Sequence, residues 1–327
     1  MPVKVAVVSG RRSDYGIYLP VLRAIQAEPS LELDLIATEM HYWPQYGETV
    51  NEIIRDGFHV NNCWVPYGKM TNVLADITHI LTVKWSKSKP DCVMVLGDTG
   101  PMLAAAIVAS HLNIPVCHIA GGDLTGSVDN KIRYAITAFA DWHFPQLPIH
   151  AERLIGMGIS KERVNFVGPL GIFAMKDAQF ITELGVRTKL GLSDKPIILV
   201  IQHPVTSEAE EAGSQMEATL QAVSSFQGYE RVIIYPNSDT GSEAMIKVIE
   251  QSPYRKFKNL PYLMFMSLLK ISKVIVGNSS AGLEEAPFFD VPCVNIGTRQ
   301  QGRLAGVMIQ TVSDTGMITK AIYAATH

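Results

Sequence analysis

The amino-acid sequence predicts an α/β protein built as two doubly wound, Rossmann-like domains with a cleft between them. Three observations predict it. Short apolar, β-branched runs alternate with longer helix-like stretches. The same rhythm restarts after about residue 172, dividing the chain into domains 1–172 and 173–327. Polar, glycine-containing loops follow the apolar runs in both halves. Near-continuous apolar strands separated by helices belong to parallel sheets covered on both faces.

Taken in order, "VKVAVVSG" (3–10) reads as the first strand and 17–27 as the helix that covers it. "LELDLIAT" (31–38) is the next strand, and helices at 72–86 and 101–112 flank the strand "DCVMVLGD" (91–98). "IPVCHIAGG" (114–122), a helix at 129–140, "ADWHFPQL" (140–147) and "VNFVGP" (164–169) complete the first domain. "GPLGI" (168–172) reads as a hinge. The second domain has strands at "PIILVIQ" (196–202), "ERVIIYPN" (230–237), "KVIVGN" (273–278) and "PCVNIG" (292–297). Helices at 207–225, 241–251, 280–287 and 314–325 separate or follow them.

Composition narrows the function. A chain of 327 residues, 47% hydrophobic and 18% charged, has room for two cores without disulfides or metal. The net charge is −3 and no basic stripe is present, which argues against nucleic acid as a partner. Cys63, Cys92, Cys117 and Cys293 are scattered and read as reduced thiols of a cytoplasmic protein. The start of the chain lacks a signal-peptide pattern, and no apolar run approaches the roughly 20 residues needed to span a bilayer. No membrane partner is expected. The Asn278-Ser-Ser triplet is discounted as a glycosylation site for the same compartmental reason.

In open α/β sheets ligands bind beyond the carboxyl ends of the strands. The residues there are Gly10–Asp14, Gly97–Thr99 and Gly121–Asp123 in the first domain. In the second they are His203-Pro204, Asn237–Ser242, Asn278–Ser280 and Gly297–Arg299. A G-x-G-x-x-G after the first strand, a P-loop and a G-x-S-x-G elbow are all absent, which argues against nicotinamide or flavin binding and against a serine nucleophile. The nine histidines show no metal-ligand spacing, so no metal and no cofactor are expected.

"GNSSAGLEEA" (277–286) places Ser279 and Ser280 at a helix start. Free N–H groups there favour a phosphate, while a single N-cap serine worth about 1 kcal/mol is the competing reading. Glu285, one turn on, reaches toward sugar hydroxyls or completes a first-turn charge pair with Glu284. Arg12 can hold a diphosphate bidentately or stand as a solvated loop arginine. His203 can donate to phosphate, move protons or serve structure. Asp98, Asp123 and Asp129 suit acid–base work on a sugar, with caps and turns as the alternative.

With these residues assembled, the chain resembles the hydrolysing UDP-N-acetylglucosamine 2-epimerase family over nearly its whole length. The resemblance is carried by "SGRRSDYG", "TEMHYWPQYGET", "VMVLGD", "HIAGGDLTGSVDNKIRYAIT", "HPVTSE", "YPNSDTGSEAM", "GNSSAGLEEAP" and "NIGTRQQGR", in that order. It implies a GT-B fold with the substrate in the cleft. It implies Ser279 and Ser280 on a diphosphate, Glu285 on the ribose, and His203, Asn237 and Arg299 nearby. It implies Arg12, His41 and Arg133 as substrate-binding groups of the first domain. It implies Asp98 and Asp129, with Asp123 and His203, as catalytic groups. UDP would leave C1 as the C2 proton is lost, and water would then add to the 2-acetamidoglucal. A nucleotide-sugar substrate and a dimer or tetramer are further implications, as are helices beyond "ITKAIYAAT", so that the chain reads as truncated or minimal.

Three positions depart from the family pattern, and all lie on the catalytic side. Thr99 stands for an arginine, Ala120 for a glutamate and Tyr134 for a histidine. Asp123, three residues beyond Ala120, is a partial substitute. The departures keep open a GDP-GlcNAc or UDP-2,4-diacetamido sugar substrate, a GT-B glycosyltransferase, and a non-catalytic nucleotide-sugar binder.

Overall fold

A computed structural model describes residues 1–125, 128–176, 178–303, 309–312 and 314–327. Two compact units emerge, Met1–Leu124 with Val128–Lys176, and Thr125–Ser127 with Asp177–His327.

The first unit runs β1 (Val3–Ser9), α1 (Arg12–Ala27), β2 (Leu31–Thr38), α2 (Val50–Arg55), β3 (Val60–Cys63), α3 (Met70–Lys87) and β4 (Cys92–Leu96). It continues with α4 (Gly100–His111), β5 (Val116–Ile119), α5 (Asp129–Phe139), β6 (Trp142–Phe144), α6 (Pro148–Gly156) and α7 (Leu170–Lys176). Its sheet is parallel, in the order β3-β2-β1-β4-β5-β6. Val5–Val8 of β1 are buried on both faces, as a central parallel strand requires. Val73, Ile77, Leu81 and Trp85 form the buried stripe of α3 at four-residue spacing, each contributing about 2 kcal/mol of apolar burial. Helix α7 packs on α1.

The second unit runs α8 (Glu183–Leu190), β7 (Ile197–Ile201), α9 (Ala212–Ser224), β8 (Glu230–Ile234), α10 (Ser242–Gln251), β9 (Arg255–Phe257), α11 (Tyr262–Lys270) and β10 (Ser272–Gly277). Then come α12 (Ala281–Glu284), β11 (Cys293–Ile296), β12 (Ile309–Val312) and α13 (Thr315–Thr326). The sheet order β12-β11-β10-β7-β8-β9 repeats that of the first unit when counted from β7. Each sheet therefore has one switch point, where successive crossovers leave in opposite directions. These fall between β1 and β4, and between β7 and β10.

The sequence-based strands match the interior of both sheets. Three edge strands carry no apolar-run signal: β3 (VNNC), β9 (RKF) and β12 (IQTV) are short and rich in polar residues, because one side faces away from the sheet. The expected strand at 164–169 is not one. Asn165 and Val167 do donate to the carbonyls of His143 and Pro145, at 2.8 and 3.2 Å. Pro145 has no N–H to return, and Gly168 (φ +80°) then turns the chain, so pairing stops at a single bridge. Helix α1 begins at Arg12 rather than 17, which places Arg12 in its first turn and not in a loop. The expected helix 280–287 shortens to the single turn of α12, because Pro287 removes a donor and disfavours helical geometry at Ala286. Among the described residues no helix is long and apolar enough to cross a membrane. Cys63 and Cys293 are buried and Cys92 and Cys117 half-buried, all as free thiols.

Candidate functional site

In the first unit, Asp98 leaves β4 at the switch point and forms an ion pair with Arg133, which is only 3% exposed on the second turn of α5. The second arm of the Arg133 guanidinium lies 3.6 Å from Oδ2 of Asp123. Oδ1 of Asp123 accepts from the Leu124 N–H at 2.8 Å and lies 3.2 Å from Nε2 of His150. One buried cation thus joins two carboxylates that the sequence brings from different loops. Asp129 opens α5 one turn before Arg133, on the same helix face. Gly126 and Ser127 of the "HIAGGDLTGSVDNKIRYAIT" motif lie outside the described residues.

Two buried histidines support this arrangement. Nε2 of His118 donates to the Gly97 carbonyl at 2.8 Å, and Nδ1 lies 3.3 Å from the Thr137 hydroxyl on α5. The ring therefore ties the β4 loop to the helix that carries Arg133. His41 is fully buried, with Nε2 2.8 Å from the Ser9 hydroxyl and Nδ1 2.7 Å from that of Thr49. Both ring nitrogens are engaged, so His41 braces the end of β1 instead of presenting a nitrogen to a ligand. Asp14 accepts from the Gly10 and Arg11 N–H groups at 3.2 and 3.1 Å. Arg12 is half-buried beside it in the first turn of α1.

Burial sets the protonation of these groups. It pushes His41 and His118 down to about 3, and Asp14 up to about 6. Between pH 6.5 and 3 the unfolded chain binds protons that the two folded histidines refuse, so stability falls as pH falls through that window. Asp14 acts in the opposite sense, since its folded carboxyl takes up a proton near pH 6 and the unfolded one does not. At pH 5, relative to pH 7.5, the histidines cost about 4 kcal/mol together and Asp14 returns a little over ~1 kcal/mol. His143, also held below its ordinary value by burial, adds to the loss, so urea denaturation at the two pH values is expected to show a net loss of about 3 kcal/mol or more. A gain in stability on acidification would overturn the assignment.

In the second unit the loops after β7 and β10 are locked together. The Asn278 side chain accepts from the His203 N–H at 2.6 Å and donates to the His203 carbonyl at 2.8 Å. The Asn237 N–H donates to Nδ1 of His203 at 3.0 Å, which leaves the proton of the neutral ring on Nε2. Asn237 donates to Asp239 at 2.5 Å, and Asp239 lies 3.8 Å from the Arg299 guanidinium. Arg299 and Gln300 both donate to the Asn278 carbonyl, at 3.4 and 2.7 Å. His203, Asn237 and Arg299 thus gather around Asn278, which carried no assigned role in the sequence reading. Its signal was its place directly after the apolar run of β10. Ser279 and Ser280 follow it, half-buried. Ser280 occupies the N-cap without a side-chain capping bond, and among the described residues neither serine's N–H donates to a protein acceptor. Glu285 is buried at the end of the turn, and Glu284 pairs with Arg303 at 2.8 Å.

The three departures have defined places. Thr99 caps α4, and its buried hydroxyl has no hydrogen-bond partner among the described residues. Ala120 adopts a left-handed conformation (φ +61°) and donates to the Phe144 carbonyl at 3.1 Å. Tyr134 is half-buried on α5, next to Arg133.

Known proteins resemble this chain over nearly its whole length. The family model described as UDP-N-acetylglucosamine 2-epimerase matches residues 23–327. A UDP-N,N'-diacetylbacillosamine 2-epimerase (hydrolyzing) of Legionella pneumophila is 34% identical over 313 residues, covering 92% of this chain and 82% of its own. A UDP-N-acetylglucosamine 2-epimerase of Neisseria meningitidis serogroup B is 31% identical over 328 residues, covering 98% and 86%. The crystal structure of the Methanocaldococcus jannaschii UDP-GlcNAc 2-epimerase in complex with UDP-GlcNAc and UDP superposes with a TM-score of 0.82 at 18% identity, covering 99% and 93%. The fold class is the GT-B type expected from the sequence.

Proposed function

We infer the activity from one premise: the chain belongs to the UDP-N-acetylglucosamine 2-epimerase family. Within it we propose a cytoplasmic hydrolysing enzyme that converts UDP-N-acetylglucosamine and water to N-acetylmannosamine and UDP. Its product would feed the synthesis of sialic-acid-like surface sugars. The observation that carries this reading is the bridging of Asp98 and Asp123 by buried Arg133 at the carboxyl end of a sheet. The C2 proton of the sugar is not beside a carbonyl and is barely acidic. Departure of UDP must therefore run ahead and build positive charge at C1. Fixed carboxylates stabilise that charge and move the proton, Asp98 and Asp129 first among them.

The leaving group needs donors instead. Nε2–H of His203, the hydroxyls and N–H groups of Ser279 and Ser280, and the guanidinium of Arg299 supply them; Asn237 holds the His203 tautomer and Glu285 takes the ribose. The loss of UDP and the C2 proton leaves a 2-acetamidoglucal, to which water adds at C1 and a proton at C2 from the other face.

A second reading has an observation of its own. The 34% relative is named for a sugar with two acetamido groups, so a UDP-2,4-diacetamido sugar is the alternative substrate. Incubation with each nucleotide sugar in deuterium oxide, followed by NMR, tests both. Free N-acetylmannosamine deuterated at C2, with UDP, is the expected result. Turnover of the diacetamido sugar alone selects the second reading. Thermal protection by UDP-GlcNAc without any released sugar would make the protein a binder and sink both.

A further inference from the structure

We propose that His150 is the positioning residue of the acid–base cluster, clamping Asp123 so that one carboxylate oxygen is fixed and the other faces Arg133. The inference rests on the epimerase reading for its kinetic consequence, though not for the contact itself.

His150 lies in the first turn of α6, remote in sequence from the loop it meets, and is 6% exposed. The backbone of that turn presses on Gly122. A Cβ at Gly122 would stand 2.4 Å from the His150 carbonyl oxygen, and φ there is +80°, so only glycine permits the approach. Arg153, one turn further along α6, donates to the Gly122 carbonyl. The loop is thus seated on α6 from both turns, and the His150 ring sits 3.2 Å from Oδ1 of Asp123.

The ring's tautomer follows from its neighbours. Nδ1 is buried and has no hydrogen-bond partner among the described residues. Asp123 only accepts when ionised, so the proton of the neutral ring belongs on Nε2, donated to Oδ1. Oδ1 then holds two donors, the Leu124 N–H and His150, which turns Oδ2 toward Arg133 at 3.6 Å. Arg133 in turn orients Asp98. The order of support is α6, Asp123, Arg133, Asp98.

A purely structural role is not required of this ring. Leu154, fully buried on the same helix, already anchors α6 in the core. An aliphatic residue at 150 would pack there without leaving a buried ring nitrogen unpaired. A loop with Ala120 in place of an acid depends on where its remaining carboxylate points. Misplacement by about 1 Å costs on the order of 10²-fold in rate.

The test compares His150→Leu with His150→Gln, whose Nε2–H can replace the imidazole donor. His150→Leu is expected to lower kcat about 30-fold, within the range that misplacement allows, with KM and UDP affinity within about twofold of wild type. His150→Gln is expected to restore kcat to within about threefold. A KM that rises with the fall in kcat, or failure of glutamine to rescue, would overturn the proposal. A second measurement reads the clamp without turnover. At pH 7.5 the imidazole nitrogens of ¹⁵N-labelled protein should show, besides His118, a buried ring protonated at Nε2 whose signal is absent in His150→Gln and displaced in Asp123→Asn. No displacement in Asp123→Asn removes the clamp. Wild-type protein that turns over neither nucleotide sugar would defeat the epimerase reading, and the nitrogen signals would then decide the clamp alone.

Discussion

Asp98→Asn is expected to lower kcat by about 10³-fold or more while UDP affinity stays within about twofold. The amide keeps the shape of the side chain and can still accept from Arg133. It cannot take a proton or oppose the positive charge that builds at C1. Nucleotide binding is proposed for His203, Ser279, Ser280 and Arg299, all on loops of the second unit, whereas Asp98 belongs to the first. A second consequence separates charge from position. Arg133 is 3% exposed and would lose the full charge of the carboxylate it pairs with, keeping that of Asp123 at 3.6 Å. Removing one partner of a buried ion pair destabilises, here by about 1–3 kcal/mol because the amide oxygen still accepts. Steady-state kinetics, UDP calorimetry and urea denaturation of the one variant check all three statements. Retention of more than a tenth of wild-type turnover would remove Asp98 from the chemistry.

What the sequence showed and what it hid have a common physical cause. Strands buried on both faces must be apolar along their length, so β1, β4, β7 and β10 stand out as uninterrupted runs. The edges need no such run, and β3, β9 and β12 are short polar segments that pattern alone passes over. The loops after the interior strands were equally legible, which is why His203, Asn237, Arg299 and Asp98 were all named from sequence. Partnerships between loops were not. Asn278 bonds both backbone groups of His203 only because β7 and β10 are neighbours at a switch point, a fact of strand order and not of spacing. His150 had no signal at all, since its meaning lies in the approach of α6 to Gly122. His41 shows the converse. Its motif suggested a ligand group, whereas the fold engages both its nitrogens with hydroxyls.

The same strand order makes Gly277→Ala the substitution with the largest expected effect on stability. Gly277 ends β10 at φ +137°, a conformation closed to L side chains at ordinary cost. A Cβ there would stand 1.9 Å from the Ile201 carbonyl oxygen and 2.5 Å from its carbon. Neither strand can yield. Gly277 pairs with Ile201 in the β7–β10 register, and the next residue, Asn278, donates its N–H to the same carbonyl at 3.1 Å. A shift large enough to admit the methyl group would break that bond and both side-chain bonds from Asn278 to His203. The expected loss is about 4 kcal/mol or more, at the extreme reserved for strained backbone positions. In whatever fraction folds, UDP affinity should fall at least tenfold, because Asn278 holds the His203 backbone and precedes the two serines. Gly228→Ala is the matched control, since nothing lies within 4 Å of its added Cβ, and it should change stability by no more than about 0.5 kcal/mol. Urea denaturation of the two variants reads the difference directly. If Gly277→Ala came within about 1 kcal/mol of the control, the close approach of β10 to β7 would not be what fixes this site.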